Sequence, residues 1–134
     1  MVRYAVSEDS DAILFLEKKY FPYPRINIDY KDFVVDNLLR GYADMKIIID
    51  EGYIGNVLVK EEYRRMGIAD EMIDFLIKTG SEKNLEFITL EVRTGNVPAI
   101  NLYKKHGFEI QGILKNHYSS PKEDAYIMTV RKPF

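Results

Sequence analysis

Arg64-Arg65-Met66-Gly67-Ile68-Ala69 stands between a β-rich run, Tyr53 to Val59, and a run in which Ile68, Met72, Phe75, Leu76 and Thr79 share one helical face. A strand that turns through a glycine into a helix has a particular chemistry. The first-turn N–H groups of the helix have no internal partner and carry partial positive charge. Gly67 lets the backbone come close to a ligand, and two arginines add full charges beside those amides. Together they describe an anion cradle suited to a pyrophosphate. The same six residues also read as an ordinary helix start with two solvated arginines, and both readings stay open here. Neither G-x-x-x-x-G-K-[ST] nor G-x-G-x-x-G occurs in the chain.

Upstream, Val2 to Val6 is a short strand candidate, and Ser7 is placed to cap a helix through Ala12, Ile13, Leu16 and Glu17. Phe21-Pro22-Tyr23-Pro24 breaks that helix and leaves an aromatic loop. Phe33, Val34, Asn37 and Leu38 predict a second helix over Tyr30 to Arg40, with Gly41 as its stop. Met45 to Asp50 and Tyr53 to Val59 read as a hairpin about Glu51-Gly52. Downstream, Phe87 to Val92 is a strand. Asn96 caps a helix with Pro98 in its first turn and Gly107 at its end. Phe108 to Leu114 and Ala125 to Arg131 close the chain as two strands around a polar loop, Ser119 to Glu123. The order β-α-α-β-β-α-β-α-β-β is that of a mixed α/β (α+β) domain.

The 134 residues are one domain's worth of chain. Lys and Arg number 19 against 21 Asp and Glu, a net charge of −2, which argues against a broad nucleic-acid-binding surface but not against a local anion pocket. No cysteine is present, which excludes disulfides, thiolate nucleophiles and most structural zinc sites. The two histidines, His106 and His117, cannot make a three-histidine metal site, and no metal is expected. No signal-peptide core follows Met1, and no apolar run approaches membrane-spanning length, so the expected location is the cytoplasm, away from the membrane.

A second chemical cluster is Leu90-Glu91-Val92-Arg93-Thr94-Gly95-Asn96, followed by Ala99, Leu102-Tyr103, Lys105 and Gly107-Phe108. A carboxylate near the centre of a sheet is costly unless paired, and its pKa tends to rise, as suits a general base. Alternation along the same strand would instead turn Glu91 to solvent, and Tyr103 would serve equally as a core aromatic. His106 reads as a helix-end residue; His117 reads as structural or functional. Two penicillin-binding signatures, S-x-x-K at Ser119 to Lys122 and K-T-G at Lys78 to Gly80, occur in reversed order and are taken as chance.

The two clusters together resemble the GNAT superfamily of acetyl-CoA-dependent N-acetyltransferases. Arg64 to Ala69 matches its [QR]-x-x-G-x-[GA] motif, and Asn96-x-x-Ala99-x-x-Leu102-Tyr103-x-Lys105-x-Gly107-Phe108 matches its C-terminal motif. The chain is most similar to the protein N-terminal acetyltransferases of RimI type. Leu90-Glu91-Val92-Arg93 stands as in those enzymes, and Asn116-His117-Tyr118 with Glu123-Asp124-Ala125-Tyr126-Ile127-Met128 resembles their N-Y-Y-P…E-D-A-x-x-M. Phe21-Pro22-Tyr23-Pro24 resembles the loop that lines their peptide site. The departures are His117 where the family has tyrosine, and apparent room for one strand, where the family has two, between Gly41 and Tyr53.

The resemblance implies a mixed central sheet flanked by helices, one strand short in its N-terminal half, and a single catalytic domain over residues 1–134. It implies acetyl-CoA bound by Arg64, Arg65, Met66, Gly67, Ile68 and Ala69, by the backbone at Leu58 and Val59, and by Asn96, Tyr103 and Lys105. It assigns the base to Glu91, the proton donor for the leaving thiolate to Tyr103, and acceptor binding to Phe21, Pro22, Tyr23, Glu91, His117 and Tyr118, the aromatic loop facing His117-Tyr118 across the groove. The acceptor implied is a peptide or protein N-terminus, a ribosomal protein among the candidates, attacked directly. Two alternatives remain: the same chemistry on a small amine or a lysine side chain, and a non-catalytic acyl-CoA-binding module.

Overall fold

The computed structural model describes residues 1–134. Seven strands and three α-helices follow one another as β1 (Val2–Tyr4), α1 (Ser10–Tyr20), β2 (Phe33–Asp36), β3 (Gly41–Ile48), β4 (Glu51–Val59), α2 (Ile68–Glu82), β5 (Phe87–Arg93), α3 (Val97–Lys105), β6 (Glu109–Ser119) and β7 (Lys122–Arg131). The strands hydrogen-bond in the order β1-β2-β3-β4-β5-β7-β6. No helix is long and apolar enough to cross a membrane. Residue packing divides the chain into two units, Met1–Asp44 with Asn56–Met72, and Met45–Gly55 with Ile73–Phe134.

In the first unit, β2 is antiparallel to β1 (Arg3 opposite Val35) and to β3 (Val34 opposite Ala43). Ala5, Ile13, Leu16, Phe33, Val35, Tyr42 and Leu58 form its core. The expected helix over Tyr30 to Arg40 is not there. Tyr30–Asp32 makes one 3-10 turn, and Phe33–Asp36 is a strand. Aromatic and β-branched side chains favour a pleated strand, and all four residues of β2 are buried, Phe33 and Val35 on one face and Val34 with the Arg40-paired Asp36 on the other. Leu38, assigned to the apolar face of that helix, is exposed. The strand that looked absent from the N-terminal half is thus this misread segment, and the sheet is not short. Gly41 opens β3 rather than stopping a helix: a Cβ there would sit 2.5 Å from the Leu58 carbonyl oxygen. Ser7 is not a helix cap either. Ser7–Asp9 forms a 3-10 turn, and the buried Asp9 carboxylate accepts the Val6 N–H (2.8 Å) and a forked pair from Arg3 (2.7 and 3.1 Å).

In the second unit, β5 runs parallel to β4 (Gly52 opposite Ile88) and antiparallel to β7 along its whole length. Gly52 is not in the turn between β3 and β4, which falls at Ile49-Asp50 with Ile49 in the left-handed region (φ 57°). It lies within β4, close against Leu85, Met45 and Ile88. Asn96 caps α3 as its sequence predicts, accepting the Ala99 N–H at 3.3 Å, and Gly107 ends it at φ 90°. The expected polar loop from Ser119 to Glu123 is a tight turn, because β6 extends to Ser119 and β7 starts at Lys122.

Candidate active site

Between β4 and α2, Glu61–Tyr63 makes a 3-10 turn, Arg65 takes φ 65° and Gly67 takes φ 82°. The α2 ladder is joined by Glu71 N–H donating to the Gly67 carbonyl (3.0 Å), which places Ile68 and Ala69 in the first turn, where helix geometry supplies no intrahelical acceptor. A Cβ built on Gly67 meets nothing within 4 Å, so the glycine faces open space. Arg65 and Met66 are exposed and Ile68 is buried, which anchors the helix start beneath the loop. The two arginines are not equivalent. Arg64 Nε donates to the Val59 carbonyl (3.1 Å) and its guanidinium lies over the Tyr20 ring (5.9 Å), so it ties the loop to the end of β4. Leu58 is buried, and Lys60 N–H donates to the Arg40 carbonyl (2.8 Å).

On β5, Ile88, Leu90 and Val92 are buried while Thr89, Glu91 and Arg93 line the opposite face. Alternation therefore decides the orientation of Glu91. Its side chain is 45% exposed, so of the two readings of this strand the solvent-facing one holds. Glu91 Oε2 lies 2.5 Å from His117 Nε2. The His117 and Tyr118 rings meet edge to face (4.8 Å), and the Arg93 guanidinium covers the Tyr118 ring (4.2 Å). Burial pushes the Tyr118 hydroxyl pKa up, and the Glu91 charge adds to the effect against the opposing pull of Arg93. Tyr103, on α3, is buried against Phe108 (5.9 Å between rings), and that burial pushes its hydroxyl up to about 12. The second unit thus assembles Glu91, His117 and Tyr118. It also holds Tyr103, the Asn96 side chain, whose oxygen is given to its cap, and Lys105, exposed at the end of α3.

Phe21, Pro22 and Tyr23 belong to the first unit, as a loop after α1; Phe21 packs on the core and Tyr23 is exposed. What holds this loop was not foreseen. Glu17 is fully buried and accepts from Arg25 (2.8 and 3.2 Å), from Asn56 Nδ2 (2.8 Å) and from the Tyr42 hydroxyl. Arg25 forks onward to Asp44 (3.0 and 3.1 Å), whose carboxylate also accepts the Asn56 N–H (2.9 Å). Burial acts to raise the Glu17 carboxyl, but the hydrogen bonds from Arg25, Tyr42 and Asn56 outweigh it and hold the group below the usual carboxylate range. The only signal in the sequence was Glu17 within an otherwise apolar stripe of Ile13, Leu16 and Tyr20.

A family model described as acetyltransferase (GNAT) family matches residues 6–108. A protein of Bacillus subtilis (strain 168), provisionally named a ribosomal protein bS18-alanine N-acetyltransferase, is 33% identical over 96% of this chain and 93% of its own. An N-alpha-acetyltransferase of Sulfurisphaera tokodaii is 33% identical over 94% of this chain and 80% of its own. The crystal structure of the ribosomal-protein-S18-alanine N-acetyltransferase from Escherichia coli superimposes with a TM-score of 0.82 at 24% identity, covering 98% of this chain and 92% of that one, and so shares the fold.

Proposed function

Because the chain belongs to the acetyltransferase (GNAT) family, we propose that it moves the acetyl group of acetyl-CoA onto the α-amino group of a protein N-terminus. It is an acetyl-CoA-dependent N-acetyltransferase rather than a non-catalytic acyl-CoA-binding module, and the proposal concerns its acceptor and its residues. Acetyl-CoA supplies an activated acetyl thioester and a pyrophosphate. The observation that carries the assignment is the loop before α2, where Gly67 opens the backbone at φ 82° with free space where a side chain would stand. The amides of Arg65 to Ala69 then take the pyrophosphate, with Arg64 bracing the loop, and the backbone at Leu58 and Val59 takes the pantetheine arm. Asn96, Tyr103 and Lys105 are assigned to the same ligand.

An α-amine with a reference pKa of about 7.7–8.0 is mostly protonated at neutral pH, so a base must act before attack. Glu91 has that role, and Tyr103 protonates the departing thiolate. Phe21, Pro22, Tyr23, His117 and Tyr118 are assigned to the acceptor. The unit boundaries fall inside β3, β4 and α2, which favours treating all 134 residues as one catalytic domain. The names of the bacterial relatives favour an alanine-first ribosomal protein as the acceptor.

Gly67→Val tests the cofactor half. A branched side chain would both strain the left-handed backbone and fill the space the phosphates need. The folded variant should bind acetyl-CoA at least tenfold more weakly, about 1.4 kcal/mol, by calorimetry. Unchanged affinity would remove the loop from the site. The acceptor half is tested by initial rates on peptides that differ only in their first residue. Alanine-first peptides should lead, and a tenfold preference for another first residue would refute the ribosomal-type assignment.

A further inference from the structure

His117 departs from the N-Y-Y motif that this segment resembles, and a bulge in β6 sets its position. Leu114 stands opposite Ala125 and Tyr118 opposite Glu123, so Lys115, Asn116 and His117 bulge out against the single residue Asp124. Bulges of this kind re-aim side chains. Asn116 takes φ 53°, and Asp124 fastens the bulge by accepting the Asn116 N–H (2.8 Å) and Lys115 Nζ (3.3 Å), while its carbonyl accepts the Thr94 N–H (3.1 Å). The hairpin tip is tied down as well. Arg93 donates to the carbonyls of Pro121 (2.8 Å) and Ser120 (3.1 Å) and to Glu123 (3.1 Å), whose other oxygen accepts the Gly95 N–H (2.7 Å). The outcome is one imidazole nitrogen 2.5 Å from Glu91, with the ring 37% exposed.

We propose that His117 is a catalytic residue of this enzyme, its imidazole taking the proton from the attacking amine while Glu91 holds and orients it. The proposal rests on the assignment of Glu91 to the base and divides that role between two side chains. With Nε2–H donated to Glu91, Nδ1 carries the free lone pair. The acceptor's ammonium gives one proton to Nδ1. The nitrogen lone pair so released forms the C–N bond to the acetyl carbon as the C–S bond breaks. A second proton of that nitrogen ends on the coenzyme sulfur, through the Tyr103 hydroxyl, and the imidazolium returns its proton to water. Imidazole suits this step near neutral pH, with a reference pKa of about 6.5 against about 4.3 for a carboxylate. The charged and titratable groups around His117 are Glu91 and Arg93 from β5, Lys115 and Tyr118 from β6, and Glu123 and Asp124 from β7.

The test measures kcat and kcat/KM for an N-terminal peptide from pH 5 to 9 at saturating acetyl-CoA, in wild type, His117→Gln, Glu91→Gln and the double variant. His117→Gln should lower kcat by about 10²–10³ and change the shape of the rising limb, leaving only the ionisation of the amine. Adding Glu91→Gln to His117→Gln should cost less than about threefold more, since groups acting as a unit are not additive. His117→Ala should regain part of its turnover with added imidazole, and acetyl-CoA affinity reports that each variant is folded. If His117→Gln keeps its kcat and its limb while Glu91→Gln loses turnover, the dyad is refuted and Glu91 stands as the base alone. Losses that multiply in the double variant would also refute it, by showing separate roles. If neither variant changes turnover, the assignment of Glu91 falls with the proposal.

Discussion

Tyr103→Phe is expected to lower kcat by roughly 10²–10⁴, the range typical of losing a general acid, and acetyl-CoA affinity by far less, because the ring assigned to the coenzyme is kept. Phenylalanine keeps the ring packed on Phe108, so a loss of turnover reports the hydroxyl and not the core. The environment adds a sharper expectation. Burial pushes the Tyr103 hydroxyl up to about 12, so it stays protonated throughout the working pH range. The wild-type profile should therefore show no falling limb below pH 10. A thiol with the reference pKa of cysteine, about 8.5, is the stronger acid, so transfer from the phenol alone is uphill, and in the proposed step the hydroxyl gives up its proton only as it gains one from the acetylated nitrogen. Steady-state kinetics on both proteins check the claim. A Phe variant with wild-type kcat would make Tyr103 a core aromatic and move the acid elsewhere.

Arg25→Met should destabilise the fold by about 3 kcal/mol at pH 7, or roughly 10 °C in Tm for a domain of this size. The substitution leaves Glu17 and Asp44 buried without their shared cation, and removing one partner of a buried ion group is costly because the other charge stays. We place the effect at the low end of that range because Arg25 keeps 35% of its surface in water. The pH dependence follows from the carboxylates held below their ordinary range: Asp9 by Arg3, Glu17 by the bonds that outweigh its burial, and Asp36 by Arg40. Their folded pKa lies below the unfolded one, so the unfolded state binds more protons. Wild-type stability is then full above about pH 4.5 and falls as pH drops through the carboxylate range. Arg25→Met should lose less on acidification, because Glu17 no longer gives up an ion pair when it protonates. Urea unfolding at pH 7 and pH 3.5 measures both effects. A change under 0.5 kcal/mol at pH 7 would show that the network contributes little.

The C-terminal half was legible because its signals are local. Asn96, Pro98 and Gly107 act within one turn of the helix they bound, and the alternation Ile88-Leu90-Val92 against Thr89-Glu91-Arg93 carries its own orientation. The N-terminal half was not. Phe33–Asp36 is buried on both faces, so it lacks the period of two that marks a half-buried strand, and its apolar spacing imitates a helix. The Glu17, Arg25, Asp44 and Asn56 group joins residues up to 39 positions apart, which no local pattern reveals. His117 was visible as a departure from a motif, but its partner was not, because the bulge that brings it to Glu91 depends on Asp124 across the β6-β7 pair.

The central claim is transfer to an α-amine, and one competition measures it. The protein is given acetyl-CoA with equal amounts of an alanine-first peptide lacking lysine, the same peptide with a blocked N-terminus and an internal lysine, and a linear polyamine, and the products are located by mass spectrometry. Acetyl should accumulate on the free α-amino group, with kcat/KM at least 10²-fold above either other acceptor. An α-amine left bare while lysine or polyamine is acetylated would contradict the account, and with it the assignment of Phe21, Pro22, Tyr23 and Tyr118 to a peptide N-terminus.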